Sequence, residues 1–244
     1  MGAVPILWSC NVKTTIKGGE MRKYVISITL IFVFILIFVY NQKKATLVSA
    51  DTVSQVTKLP PPVKKGAMSL EEAIQKRRSV RAYKNQALTK EQVSQILWAA
   101  QGITDPDGKK RAAPSAIAVY PLEIYAVCPE ASYHYLPKEH AIEKVADGDL
   151  RGSLSEQKNI AGVGMVIVIT AVSGRFPVRI SEENKLKFIY LEAGHCAQNI
   201  LLQAVALGLG SVPVGGYSEE KVTKTLNLPS DRKPVYVIPV GYPQ

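Results

Sequence analysis

The sequence predicts an α+β fold, and three observations carry that prediction. Two capped helical segments follow one another near residues 69–102 with no strand between them. The run Gly164–Val172 (GMVIVITAV) is continuously apolar and rich in β-branched residues, the pattern of a strand buried on both faces. Strands and helices do not alternate regularly along the chain, which argues against a doubly wound parallel sheet.

The elements follow in order. Ser69-Leu70-Glu71-Glu72 is a capping box that opens a helix running into Lys76-Arg77-Arg78-Ser79-Val80-Arg81. Thr89-Lys90-Glu91-Gln92 is a second box; it launches Val93, Ile96, Leu97 and Ala100 at helical spacing, and Gly102 stops them. Residues 103–120 read as loop, with a turn at Asp105-Pro106-Asp107-Gly108. Leu122–Cys128 is a strand and Tyr133–Leu136 a short partner. Residues 183–207 form one long helix, apolar on most faces and therefore buried in a core or an interface. A short helix follows Ser218, and Val235–Val240 is the last strand.

The N-terminal third has a different character. The 244-residue chain carries 30 Lys/Arg and 20 Asp/Glu. Nine of those cations precede Met68 against only Glu20 and Asp51, so that segment holds +7 of the net +10. The excess therefore gives no reason to expect nucleic acid at the globular part. Tyr24–Tyr40 is an uncharged apolar run of 17 residues between Arg22-Lys23 and Lys43-Lys44, which predicts a transmembrane anchor over 21–43 and a membrane-anchored protein. The competing reading is an export signal cleaved near Ala50, after Val48-Ser49. Met21 is a candidate start, which would leave 1–20 as a misassigned extension. Residues 44–67, with Pro60-Pro61-Pro62 and Lys64-Lys65, read as a tether, and the folded domain is expected over 68–244. Cys10, Cys128 and Cys196 show neither paired nor metal-type spacing, and the latter two are expected as buried thiols.

Two stretches bear on function. Arg77, Arg78, Ser79 and Arg81 place three guanidiniums and a hydroxyl within five residues, a set suited to a phosphate ester; a solvated basic helix end has the same composition. Gly208–Gly216 (GLGSVPVGG) is a glycine-rich turn after the long helix, where backbone can approach a flat ligand; an ordinary helix C-cap and loop reads the same way. It is no dinucleotide fingerprint, because it does not lie between a strand and a helix. Glu192 and His195 have Glu-x-x-His spacing without the second copy a di-iron site needs, so a hydrogen-bonded polar pair is expected there and no metal. No G-x-S-x-G or P-loop occurs. Side chains alone offer no evident catalyst, which suits an enzyme whose chemistry belongs to a cofactor.

Taken together, RRSVRAY (77–83), APSAIAVYPLEIY (113–125), EAGHCAQNILLQAVALGLGSVPVGGY (192–217) and YVIPVGYP (236–243) resemble the nitroreductase-like FMN flavoproteins. The match is strongest to the branch containing azoline-forming peptide dehydrogenases, the SagB/ThcOx type. The resemblance covers about residues 68–243. It implies a mostly antiparallel central sheet flanked by helices, in a homodimer with the long helix buried at the interface. It implies FMN as cofactor, with Arg77, Arg78, Ser79 and Arg81 at its phosphate and ribityl chain. Pro114, Ser115 and Ala116 would approach the ring from the other subunit, and Pro213, Val214, Gly215 and Gly216 would line its second face. Asn199 falls on the dimer helix; Lys187 and Tyr190 are catalytic candidates by position only. Three departures stand out. Ile117 occupies a place where this branch often has glycine. The chain stops at Gln244, where many relatives continue with a basic residue, leaving Arg232 or Lys233 as substitutes. No peptide-recognition domain precedes the flavin domain.

The resemblance thus implies an FMN-dependent oxidoreductase in which NAD(P)H, or another electron donor, drives reduction of a small electron-poor acceptor such as a nitroaromatic or quinone. The alternatives are a flavin-dependent dehydrogenase oxidising a heterocycle or peptide azoline, and a flavin-binding module without turnover.

Overall fold

A computed structural model describes residues 33–38, 55–155, 160 and 162–244. The chain divides between Val53 and Ser54 into two units. In the first, residues 33–38 are helical. The rest of the apolar run 24–40 and the cleavage site near Ala50 lie outside the described residues. No helix among the described residues is long and apolar enough to cross a membrane, which corrects the transmembrane and membrane-localisation expectations.

The second unit is α+β. Its strands are β1 (Val56–Lys58), β2 (Leu122–Val127), β3 (Ala131–Leu136), β4 (Ala141–Asp147), β5 (Met165–Ala171), β6 (Gly210–Ser211) and β7 (Lys233–Gly241). They form one sheet in the order β1-β4-β3-β2-β5-β7-β6, each ladder antiparallel. The helices are α1 (Leu70–Lys76), α2 (Lys90–Gln101), α3 (Glu182–Ala206) and α4 (Glu219–Thr225).

Both sheet faces are covered, which is why β5 reads as an unbroken apolar run. Side chains alternate along it: Met165, Ile167 and Ile169 join the core built with Ile96, Leu97, Ile200 and Leu201 of α2 and α3. Val166 and Val168 join Val212, Val214, Val222 and Leu226 on the other face. Thr89 and Gln92 exchange both bonds of the capping box at the start of α2. At α1 the Ser69 hydroxyl accepts from the Glu72 N–H. The long helix α3 ends where Gly208 turns left-handed at φ +71° and the Leu209 N–H bonds back to the Ala204 carbonyl. Cys128 and Cys196 are buried free thiols; burial pushes Cys128 up to about 12 and Cys196 upward also.

The folded part begins upstream of the expected Met68. Strand β1 pairs with β4, Val56 opposite Glu143 and Lys58 opposite Ala141. The Gln95 side-chain amide closes a two-point pair with the Val63 backbone, at 2.8 and 3.0 Å. The Pro60 carbonyl lies within 2.9 Å of both the Ser94 hydroxyl and His140 Nε2. Residues 56–63, within the segment read as a tether, are thus a strap laid on the domain.

Candidate functional site

Arg77 caps α1 at its C-terminus, its N–H bonded to the Ala73 carbonyl. Arg78 folds back onto that helix end, giving 2.8 Å bonds to the carbonyls of Gln75 and Arg77. Arg77 is half-buried, and Ser79 and Arg81 are exposed. Among the described residues none of these arginines pairs with a carboxylate.

The structure joins this cluster to the glycine-rich turn far downstream. Ser79 forms a parallel bridge with Ser211, and the Val80 N–H donates to the Ser211 carbonyl at 3.1 Å. Gly210 is required for that approach: a Cβ there would lie 2.7 Å from the Val80 Cβ. Below the contact the Tyr83 hydroxyl donates to the Val80 carbonyl, and burial raises its pKa despite the nearby Arg81 charge. From Ser211 the backbone runs beside β7, with Val214 bridged to Val237 through a 2.8 Å bond. Val212 and Val214 point into the core, whereas Gly215 and Gly216 are exposed and have open space where a Cβ would stand. The strip from Ser211 to Gly216 is five residue steps, about 16 Å when extended. It has a cationic patch at one end and bare backbone at the other.

Beyond the bare end lies Tyr217, its phenol pushed up to about 12 by burial, then by the negative potential of Glu219 and by Tyr190. Tyr190 is 59 % exposed on α3, and Lys187 is exposed one turn earlier. Tyr190 therefore sits close to the strip's far end. Among the described residues no hydrogen bond links Lys187 to it.

Pro114, Ser115 and Ala116 stand on a separate loop between α2 and β2. No hydrogen bond among the described residues joins them to the strip. That loop is tightly tied to its own surroundings. Asn199 Nδ2 donates to the Ala112 carbonyl at 3.2 Å, and the Tyr120 N–H donates to Ser115 Oγ at 2.8 Å. Ile117, Ala118 and Tyr120 all have left-handed φ, between +48° and +56°.

The expected Glu192–His195 pair is not formed. His195 is exposed, whereas Glu192 is buried and accepts from the Gln101 amide at 3.3 Å, with the Ser115 hydroxyl beside it. Burial raises the Glu192 pKa against the opposing pull of those groups and of Arg111 and Arg175. A second buried carboxylate goes the other way. Burial works to raise Glu123, but its bond to His134 and its ion pair with Arg175 outweigh it and hold Glu123 down at about 2. Among the described residues, no three His, Cys, Asp or Glu side chains gather in a metal-binding group.

Arg232 and Lys233, offered above as further phosphate ligands, do not lie near Arg77 within the chain. They stand at the start of β7, whose far end pairs with β6, and eight strand steps of about 3.3 Å separate the two ends. Arg232 is instead bonded to the Tyr125 hydroxyl.

Tyr83, Ser211, Tyr217 and the Gln101–Glu192 bond were not foreseen. Each depends on a long-range contact. The alternation that puts Glu123 on the face of His134's cross-strand neighbour, Tyr125, was the one local signal available.

The nitroreductase family model matches residues 74–242. A nitroreductase-type protein of Methanocaldococcus jannaschii is 36 % identical over 184 residues, covering 71 % of this chain and 91 % of that protein. The microcin B17-processing protein McbC of Escherichia coli is 29 % identical over 154 residues, or 56 % of this chain and 55 % of McbC. Among solved structures, a nitroreductase-type protein from Ralstonia eutropha superimposes with a TM-score of 0.72 at 28 % identity, covering 80 % of this chain and 92 % of the other.

Proposed function

Because the chain belongs to the nitroreductase family of oxidoreductases, we propose that it is an FMN-dependent reductase that takes electrons from NAD(P)H and delivers them to a small electron-poor acceptor, a nitroaromatic or a quinone. The observation that carries this reading is the Ser79–Ser211 bridge, which brings a cation cluster without carboxylate partners to one end of an exposed glycine strip. The chemistry of the two ends fits FMN. Arg77 and Arg81 offer guanidinium forks to a phosphate, and Ser79 offers a hydroxyl. Gly215 and Gly216 present bare backbone to a planar ring, with Pro213 extending that wall and Val214 anchoring it from behind through its bridge to Val237. Arg78, already folded on the helix end, would serve through its charge or by turning outward.

Bound FMN would supply the redox step, accepting a hydride and returning two electrons to the acceptor. The residues around it would bind, orient and exclude water. Tyr217, kept neutral across the physiological range, would offer a hydroxyl donor beside Gly216. Tyr190 and Lys187 remain catalytic candidates on the helix that faces this end.

A second copy of the chain fits the same reading. The exposed side of α3 carries Leu186 (49 %), Tyr190 and Leu191 (53 %), an apolar face on the longest helix. In a homodimer built on it, Pro114, Ser115 and Ala116 of one copy would close the ring site of the other.

The second reading is a dehydrogenase that oxidises a heterocycle or peptide azoline, and the likeness to McbC favours it. Its likeness is partial, since the chain spans about half of McbC's length.

An absorbance spectrum of the purified protein with FMN, before and after anaerobic NADPH or NADH, tests the assignment. A bound oxidised-flavin spectrum that bleaches supports the reductase. A bound flavin that stays oxidised with either nicotinamide favours the dehydrogenase, or a module without turnover if no substrate ever reduces it. No binding after reconstitution removes the FMN assignment.

A further inference from the structure

The 115–120 turn is the most strained part of the described chain, and one buried side chain ties it down from two directions. Left-handed backbone is costly for residues with a Cβ and most so for β-branched ones, at roughly 1 kcal/mol or more each. Ile117 is β-branched and 59 % exposed, so no burial of its side chain compensates. Conformations of this kind persist when the surroundings over-determine them.

Here they do so at Tyr120. Its N–H donates to Ser115 Oγ at 2.8 Å, and the Ser115 hydroxyl lies beside Glu192, where it works to lower that group's pKa. Its ring carries the Arg111 guanidinium at 4.8 Å. Arg111 donates to Gln101 Oε1 at 3.4 Å, and the same Gln101 amide donates to Glu192 at 3.3 Å. The Tyr120 carbonyl accepts from Arg175 at 2.6 Å. Two independent routes from Tyr120, one through backbone and one through the ring, therefore converge on the Glu192 carboxylate in the middle of α3. That carboxylate is 2 % exposed. A buried carboxylate is expensive unless its donors are in place, so the loop conformation that supplies Ser115 and the residue that demands it stabilise each other.

We propose that Glu192 is a positioning residue: its buried carboxylate fixes the 115–120 turn through Ser115 on one side and Gln101–Arg111 on the other, and so sets the surface that Pro114, Ser115 and Ala116 present. The consequence for turnover rests on the flavin reading above; the hold on the loop does not.

The test uses the full chain carrying Glu192→Ala, Glu192→Gln or Ser115→Ala. Amide hydrogen exchange is followed at 112–120 and at β5. In Glu192→Ala, exchange over 112–120 should accelerate about tenfold or more while β5 stays protected, the mark of local opening. Glu192→Gln keeps one acceptor and should recover much of that protection. Ser115→Ala removes that hydroxyl but leaves the Gln101 amide on the carboxylate, so it is the milder change, and it should expose the Tyr120 amide in the same way. With FMN bound, Glu192→Ala should shift the visible flavin spectrum and lower kcat several-fold more than Glu192→Gln.

Unchanged exchange at 112–120, or equal acceleration in β5, would overturn the proposal. So would a loosened loop with unaltered flavin spectrum and kcat. A wild-type protein that binds no FMN would remove the functional reading, and the exchange data alone would then decide whether Glu192 holds the loop.

Discussion

Two residues show how local chemistry and tertiary context compete. Ile117 adopts φ +48°, where glycine is at ease and a β-branched side chain is not. Ile117→Gly should therefore stabilise the protein, or leave it unchanged once the added freedom of the unfolded chain is counted, within about 1 kcal/mol by chemical denaturation. Ile117→Val keeps the branch and should give no such relief. Glu123 yields a pH prediction whose sign is fixed. Its folded pKa lies at about 2, below the ordinary 4.5, so its stabilising contribution is fully present above 4.5 and is lost as pH falls from there through about 2. The shift corresponds to roughly 3 kcal/mol as an upper bound, since the group is buried but coupled to His134 and Arg175. Glu123→Gln should flatten the acid limb of a stability-against-pH curve between 5 and 2. An unchanged acid limb would mean that the His134 and Arg175 contacts contribute little.

At the scale of elements, what could be read from sequence follows from how local each signal is. Strand β5, helix α2 and helix α3 were legible, because burial on both faces and 3.6-residue spacing write themselves into consecutive residues. Strand β4 (AIEKVAD) was not: Glu143, Lys144 and Asp147 are charged and only Ala141 and Ile142 are buried. Strands β1 and β6 have three and two residues, too few for a period, and exist through their partners. The site divides in the same way. Its cation cluster and its glycine strip were each readable, whereas their junction at Ser79–Ser211 was not, since nothing near residue 79 refers to residue 211. Two predictions belong here. Gly210→Ala puts a methyl 2.7 Å from the Val80 Cβ and should destabilise the protein by about 1–3 kcal/mol while weakening FMN binding. The strap is tested by truncation. A fragment beginning at Ser54 should unfold like the full chain, whereas one beginning at Met68 loses the Gln95, Ser94 and His140 bonds and should lose about 2–4 kcal/mol, at roughly 1 kcal/mol per bond.

The whole molecule poses the question of how many chains make one site. Within one chain, the cation cluster and glycine strip belong together, and the 112–120 loop carrying Pro114, Ser115 and Ala116 has no hydrogen bond to them among the described residues. If that loop completes the site of a second copy, neither half is sufficient alone, and two differently damaged copies can repair each other. Arg77→Ala/Arg81→Ala protein should bind FMN weakly, and a Ser115→Ala/Pro114→Ala protein should bind it in an altered environment with low turnover. Mixed in equal amounts and allowed to exchange subunits, half of the dimers formed are mixed, and each mixed dimer holds one doubly damaged site and one intact site. About a quarter of all sites should then regain wild-type turnover. A site contained within a single chain predicts no recovery at any mixing ratio, because every chain in the mixture carries its own defect.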